Sequence, residues 1–504
     1  NSYKKFMGKI LSCKKISFLT AFLCVVTLVA AQEFTVDNIK YKILDSVNKT
    51  VRIIDGKSTS GNLVIPQTVV SNSKTYTVKE IGNNAFEGNK NITSVDIPAS
   101  VDSIGVYAFY ECEEVNEYDL KEGLKTIGNG AFNGAKKVIS FKIPASVVHI
   151  GEQVFIYTES LTRFVVAPAN TNYTVDDDIL YNKSKTEIIK YPCKKNGDTY
   201  TIPNTVKIIK SVAMEGCSRL KNIIFSTGID SIENGAFLNC LRIEQLDLPA
   251  GLKKIGNEAF ASCLKLHTVN IPASVEKIGR APFFMSGNLE IINVAAENTK
   301  YSSENGVLFN KDKSTLIIYP NGKTNGSYTV APTVTTIEER AFAMNNKLKN
   351  IELPASLTKI NTAGFFACNG LQQIICKSTT PPELGNQVFG AIHNISKVVL
   401  KVPASAVNAY KTANEWKKFK IESESTTSCN PVENSTCKIY PTHTEGTVFV
   451  VAHNSAKAII YNMYGQTVKT VEIEQGENSI DISEQPAGSY IVRIGENIFK
   501  IIKK

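Results

Sequence analysis

The chain has 504 residues, 43% hydrophobic and 20% charged, a balance that builds a buried core and excludes a disordered, collagen-like or polytopic membrane protein. The formal net charge is +9, but five lysines lie in the first 31 residues beside no acidic residue, leaving 51 basic against 47 acidic side chains elsewhere. That is no footprint for nucleic acid, and five histidines leave little material for metal or acid–base sites.

Met7 reads as a translation start. Lys9, Lys14 and Lys15 follow, then an apolar run over residues 16–31 ending in Val29-Ala30-Ala31. A basic start, a short apolar stretch and a small-residue end predict a secretory signal peptide over residues 1–31. The run is shorter than the ~20 residues a spanning helix needs.

Residues 32–78 read as an amino-terminal β cap, in which Leu63-Val64-Ile65-Pro66 echoes what comes next. An Ile followed five residues later by a Phe recurs at Ile81/Phe86, Ile104/Phe109, Ile127/Phe132 and Ile150/Phe155. It returns at Ile209/Met214, Ile232/Phe237, Ile255/Phe260 and Ile278/Phe283, then at Ile337/Phe342 and Ile360/Phe365. The step is 23 within a group and 59 between groups, so a whole cassette recurs, opening at Ile81, Ile209 and Ile337. Two insertions, about 165–205 and 293–333, match from cassette to cassette without a gap: Ile179-Leu180-Tyr181-Asn182-Lys183 with Val307-Leu308-Phe309-Asn310-Lys311, and Tyr191-Pro192 with Tyr319-Pro320.

Each 23-residue unit ends in an alternating segment such as Val95-Asp96-Ile97-Pro98, which predicts a short strand closed by proline. The following Ile-Gly-x-x-Ala-Phe stretch turns the chain and drops a large side chain inward. One unit cannot bury its own apolar face, but stacked units bury a continuous core. The repeat resembles the leucine-rich repeats of BspA-like bacterial surface proteins over about residues 39–421. The resemblance implies a β-rich leucine-rich-repeat solenoid with short strands and short helical turns, spanning 79–402. It also implies a secreted or surface protein, since several such proteins act as adhesins for host matrix proteins, epithelial cells or other bacteria.

Residues 403–421 predict a capping helix, with Val407, Tyr410, Ala413 and Trp416 on one face of residues 405–418. Residues 422–437, rich in Ser, Thr, Asn and Glu, read as a linker. Six alternating segments then follow, at 448–451, 458–461, 468–473, 479–482, 490–494 and 498–502, and predict a small immunoglobulin-like β-sandwich over 438–504. Tyr461, Asn462, Gly465 and Gln466, then Pro486, Ala487, Gly488 and Tyr490, resemble the C-terminal sorting domain of the type IX secretion system. That resemblance implies a passenger carried across the outer membrane, the domain's removal, and attachment at the outer surface.

Chemistry is scarce. Cys112, Cys217, Cys240, Cys263 and Cys368 each follow the anchor Ile by eight residues and form a column of small buried hydrophobes; Cys429 and Cys437 flank a short stretch of the linker and form a pair that an oxidising compartment allows to bridge. His149, His267, His393, His443 and His453 lie in different rungs or domains. The Asp176-Asp177-Asp178 run follows no calcium-loop spacing. No nucleophile elbow, zincin motif or phosphate loop occurs, so neither an enzyme nor a cofactor is expected. Three triplets, Asp45-Ser46-Val47, Asp102-Ser103-Ile104 and Asp230-Ser231-Ile232, resemble a bacterial O-glycosylation acceptor.

In a leucine-rich repeat the residues alternating with core positions line the concave side. Here that row includes Asp96, Glu117, Asp119, Lys142, Arg163, Asn222, Gln245, Asp247, Asn270, Asn293, Asn350 and Glu352. It is the candidate surface for protein partners: host matrix or cell-surface proteins, or other bacteria. The C-terminal domain is expected to engage secretion and anchoring machinery, with no nucleic acid and no membrane-spanning helix in the mature chain. An alternative is glycan capture by insertion aromatics such as Tyr173, Tyr181, Tyr191, Tyr200, Tyr301, Phe309, Tyr319 and Tyr328. Exposed rings at Tyr181 and Phe309 would favour it; buried ones would not.

Overall fold

The structure, a computed structural model, describes residues 32–424, 437–495 and 497–504. The expected signal peptide, most of the linker and the question of a Cys429–Cys437 bridge lie outside the described residues. The chain divides within the second insertion into two compact units, the first running to residue 311 and taking in 320–323, the second made of 312–319 and 324 onward.

In the first unit each repeat supplies two parallel strands and one hydrogen-bonded turn. The longer strands, such as Ile92–Ile97 and Glu117–Leu120, pair so that Val95 stands beside Tyr118 and Ile97 beside Leu120. The shorter strands hold only two residues, Ser103–Ile104, Thr126–Ile127 and His149–Ile150, and align Ile81, Ile104, Ile127 and Ile150 in one ladder. The repeat pattern had placed this Ile in a turning segment, and two residues are too few to show an alternation. Glycine follows the anchor because the next rung passes so close: a Cβ on Gly105 would stand 2.6 Å from the Asn83 amide nitrogen.

The turns are laddered as well. Phe86 N–H donates to the Ala108 carbonyl at 2.8 Å, and Phe109 N–H to Ala131 at 3.0 Å. This stacks the rings at strand spacing, with Phe86 and Phe109 centroids 4.9 Å apart and their planes 3° from parallel. Each buried Ile or Phe of such a rung contributes ~1.5–3 kcal/mol, so the core grows by a fixed increment per repeat.

The cap residues join both ladders. Ile53 pairs beside Ile81, and Leu63 beside Val95, so residues 50–64 form a rung with a looser spacing.

The long interval between Ile150 and Ile209 conceals another rung. Ile188 pairs in parallel with Ile209, and Tyr191 N–H donates to the Ala213 carbonyl at 2.8 Å, where a regular rung would place Phe. Ahead of it, Tyr173–Asp176 and Ile179–Asn182 form an antiparallel hairpin that pairs onward to Glu187–Lys190. What reads as one long insertion is a hairpin followed by a rung whose spacing breaks the regular period. The hairpin is anchored by Asn170, 1% exposed, whose amide donates to the Pro144 and Val147 carbonyls and whose Oδ1 accepts from the Asn172 and Tyr173 amides.

In the second unit Leu316, Ile337, Ile360 and Leu384 continue the short-strand pattern. The last rung, Leu384 with Phe389, escaped the sequence pattern because Leu replaces Ile and the step is 24. Five longer strands from Ser327–Thr329 to Lys420–Ser423 form one parallel sheet. The last of them takes in residues 422–423, at the start of the stretch whose composition reads as a linker.

The capping helix is not continuous. Val407–Thr412 is α-helical, flanked by the 3-10 turns Ala404–Ala406 and Trp416–Lys418. Tyr410 and Trp416 would stand about 120° apart around an unbroken helix. The break at Ala413 lets both side chains bury: the Tyr410 hydroxyl reaches Cys376 Sγ and the Ser378 carbonyl, both at 3.1 Å, and the Trp416 indole N–H donates to Pro382 at 3.1 Å.

The C-terminal domain has a three-stranded and a five-stranded sheet closing over Val448, Val450, Ile460, Ile480, Val492 and Ile501. Among the described residues eight strands stand where six were expected. The additional two, Cys437–Tyr440 and His443–Thr444, are too short and too close to Pro441 to show alternation.

Candidate recognition surface

The outward row of the longer strands places its residues in blocks. Glu117, Lys142, Arg163, Asn222, Gln245, Asp247, Asn293 and Asn350 are exposed, whereas Asp96, Asp119, Asn270 and Glu352 are half-buried. The register brings neighbours from adjacent rungs into contact. Lys142 lies 3.4 Å from Glu117, and Lys121 bridges Asp119 and Asp96, the latter at 3.7 Å. Asn270 donates to Asp247 at 2.8 Å and Asn293 donates to Asn270 at 2.9 Å, an amide ladder running across three rungs. In the second unit Glu352 pairs with Lys377 at 2.5 Å, and Asn350 donates to Ser327 Oγ at 3.2 Å.

The row is therefore largely neutralised within itself, and exposed pairs of this kind contribute about 0–1 kcal/mol each. Arg163 makes no ion pair among the described residues. Three aliphatic side chains stand outward on the same strands: Val165, Ile224 and Ile291, 44%, 53% and 41% exposed.

Six of the eight insertion aromatics turn inward. Tyr181, Tyr191, Phe309 and Tyr319 are at most 2% exposed, and Tyr173 and Tyr200 are also buried. The Tyr181 and Tyr200 hydroxyls meet at 2.6 Å. Tyr301 and Tyr328 are half-buried, and the burial of Tyr181 and Phe309 counts against the insertions as a glycan platform.

The cysteine column is structural. Cys112, Cys240 and Cys368 donate through Sγ to the Phe86, Met214 and Phe342 carbonyls at 3.0–3.1 Å. Burial pushes the Cys112, Cys263 and Cys368 thiols up to about 12. All five histidines are exposed and dispersed, and among the described residues no three His, Cys, Asp or Glu side chains gather as a metal site. Asp176 and Asp177 pair with Lys185 and Lys195 at 2.8 and 2.9 Å. Ser103 and Ser231 sit in paired strands, whereas Ser46 lies exposed in the 46–49 turn.

One group gave no sequence signal at all. Lys190 and Glu215, each 3% exposed, form an ion pair at 3.6 Å beneath the turn that carries Tyr157. They come from different rungs, and neither position is charged in the next cassette, so no periodicity could reveal them.

In the C-terminal domain Tyr461 ends the strand Ala456–Tyr461, and Asn462 builds the turn after it, its Oδ1 accepting from the Tyr464 and Gln466 amides, both at 3.0 Å. Gly465, at φ 79, completes that turn. Tyr490, 5% exposed, donates its hydroxyl to the Pro486 carbonyl at 2.6 Å, a corner tie that fixes the Pro486-Ala487-Gly488 bend.

The family described as BspA type leucine rich repeat region matches residues 79–197, 191–305 and 322–436. The chain belongs to this family. The secretion system C-terminal sorting domain matches residues 438–504. This is thus a BspA-type leucine-rich-repeat solenoid carrying a sorting domain that points to secretion and cell-surface attachment. No curated protein matches it.

Similar solved structures include a leucine-rich repeat protein from Eubacterium ventriosum, at 21% identity and TM-score 0.41, covering 71% of this chain and 93% of the other. A leucine rich cell surface protein from Faecalibacterium prausnitzii is 21% identical at TM-score 0.40, covering 79% and 96%. The pneumococcal vaccine antigen PcpA is 18% identical at TM-score 0.43, covering 78% and 99%.

Proposed function

We propose that this BspA-type protein is a non-enzymatic adhesin, exported by the type IX secretion system and presented at the outer-membrane surface, where its strand face recognises other proteins. The partners on this reading are host matrix or cell-surface proteins, or other bacteria. The observation that carries it is Arg163 beside Val165 on one strand, with Ile224 and Ile291 standing outward on later rungs of the same strand series, in a row whose other charges are mostly paired. An unpaired guanidinium beside exposed aliphatic side chains supplies anchors for a partner, while the neutralised residues around it add complementarity rather than energy.

The test is binding of the purified full chain to immobilised matrix proteins and to whole cells. Saturable binding that falls in Arg163→Glu and in Ile224→Asp supports the reading. Binding that survives both changes removes the strand face as the adhesive surface.

A further inference from the structure

The turn edge of the first unit carries side chains that the fold does not require. In the rungs anchored by Ile104, Ile127 and Ile150 it holds Tyr107 and Tyr110, then Gly130 and Gly134, then Tyr157. The Tyr107 and Tyr110 rings meet edge to face, 5.4 Å between centroids. Gly130 makes room for them: its φ is 62, and a Cβ there would come within 2.2 Å of Tyr107 Cε1. Glu111 N–H donates to the Asn133 carbonyl and Gly134 N–H to the Ile156 carbonyl, both at 2.8 Å, so the turns that carry Tyr110 and Tyr157 lie two rungs apart on one edge, and Glu111 beside the Tyr110 hydroxyl raises its pKa. Tyr157 is 48% exposed.

Beside Tyr157 the surface opens into a cleft of about 310 Å³ lined by Glu159, Glu215, Ser218, Asn239 and Leu241 among others. Glu215 accepts the Tyr157 amide at 3.3 Å, and its buried partner Lys190 donates to the Val212 carbonyl at 3.1 Å. A buried ion pair is rarely worth more to stability than apolar residues of similar volume. The chain contains its own control, because in the next cassette Lys190 and Glu215 are matched by Ile318 and Ala343. Tyr157, Glu159 and Asn239 are matched there by Met285, Gly287 and Ala367. The matching positions of the next cassette thus carry neither the pair, the tyrosine nor the polar lining.

We infer that Tyr157 and the cleft behind it bind a pyranose unit of a neutral oligosaccharide. A pyranose presents a C–H face that packs on an aromatic ring and a rim of hydroxyls that both donate and accept. Tyr157 supplies the ring, the exposed Glu159 carboxylate accepts hydrogen bonds from hydroxyls, Ser218 and Asn239 can serve either way, and buried Glu215 holds the Tyr157 turn through its amide. Tyr110 and Tyr107 extend the aromatic surface toward an adjoining sugar. Lys194 at the cleft and Lys190 paired with Glu215 offset the two carboxylates, so the site carries no net charge to draw an ion and suits an uncharged ligand. This site is independent of the strand-face reading and uses none of its residues.

The experiment titrates the purified full chain with starch, β-glucan, α-mannan, xylan and galactan by affinity electrophoresis and calorimetry. Saturable binding to at least one is expected, weakened roughly tenfold or more by Tyr157→Met and by Lys190→Ile with Glu215→Ala. These changes install the residues of the next cassette, so the circular dichroism and melting profile should follow the parent chain. Should either variant fail to fold, Asn239→Ala at the cleft rim decides in its place. Binding to no polysaccharide, or binding unchanged in folded variants, overturns the inference. Loss in Tyr157→Met of binding to a matrix protein, with no polysaccharide bound by the parent, also overturns it and makes the edge a protein-docking surface.

Discussion

The Ile150 amide donates a 2.8 Å hydrogen bond to the Tyr173 hydroxyl, and at the matching place one cassette on Ile278 donates to Tyr301 at 2.9 Å. In each case a short-strand ladder has run out of parallel partners, and a hairpin tyrosine receives the N–H that the next rung would have taken. The cassette boundary is thus closed by a side chain.

Tyr173→Phe keeps the ring and removes the acceptor, leaving a half-buried amide unpaired. A loss of about 1 kcal/mol is expected for each of Tyr173→Phe and Tyr301→Phe. The two sites share no partner, so the double variant should lose about the sum, read as the shift in urea midpoint.

The strand-and-core pattern was legible because Ile and Phe recur at a period the backbone shares. The same period hid what breaks it. Ile188 and Leu316 anchor rungs that no regular step reaches, and Leu384 changes both residue type and spacing. The outward row was readable from alternation, yet alternation carries no distances. The ion pair of Lys142 with Glu117, and the hydrogen bond of Asn270 to Asp247, appear only once rungs stack. Lys190 and Glu215 occur once, and a contact used once leaves no periodic trace.

The thiol column should be chemically silent in the folded chain. Iodoacetamide reacts with thiolate, and burial holds Cys112, Cys263 and Cys368 at about 12, so at about pH 8 these cysteines should remain unmodified. Peptide mass spectrometry after labelling, with and without denaturant, should show all three modified only when the chain is unfolded.

The same burial makes stability fall in alkali. A thiol whose folded pKa lies above its unfolded value of about 9 contributes fully below pH 9. That contribution is lost as pH rises toward 12. Urea midpoints should therefore decline between about pH 9 and 10.5, and the slope should flatten when Cys112, Cys263 and Cys368 are all changed to Ala.

Lys190 and Glu215 should show the asymmetry of a buried pair. Glu215→Ala alone strands an ammonium among buried groups and should cost about 3–5 kcal/mol. Adding Lys190→Ile, as in the next cassette, should recover most of that loss, since no unpaired charge remains. Equal destabilisation by the single and double variants in urea melts would show that the pair itself holds the junction.

In the sorting domain, the fold and the exposed turn can be separated by mutation. Tyr490→Phe removes the tie to the Pro486 carbonyl and should lower the stability of the sandwich by about 1 kcal/mol. Tyr464, 91% exposed at the tip of the Asn462-built turn, touches nothing that stabilises the domain, so Tyr464→Ala should leave stability within about 0.5 kcal/mol of the parent. A side chain so exposed on an ordered turn is well placed for the export machinery to read. In a secreting bacterium, Tyr464→Ala should then lower the amount of chain reached by external protease, with total expression unchanged. Normal display of Tyr464→Ala beside reduced display of Tyr490→Phe would mean that export depends on the folded sandwich and not on its tip.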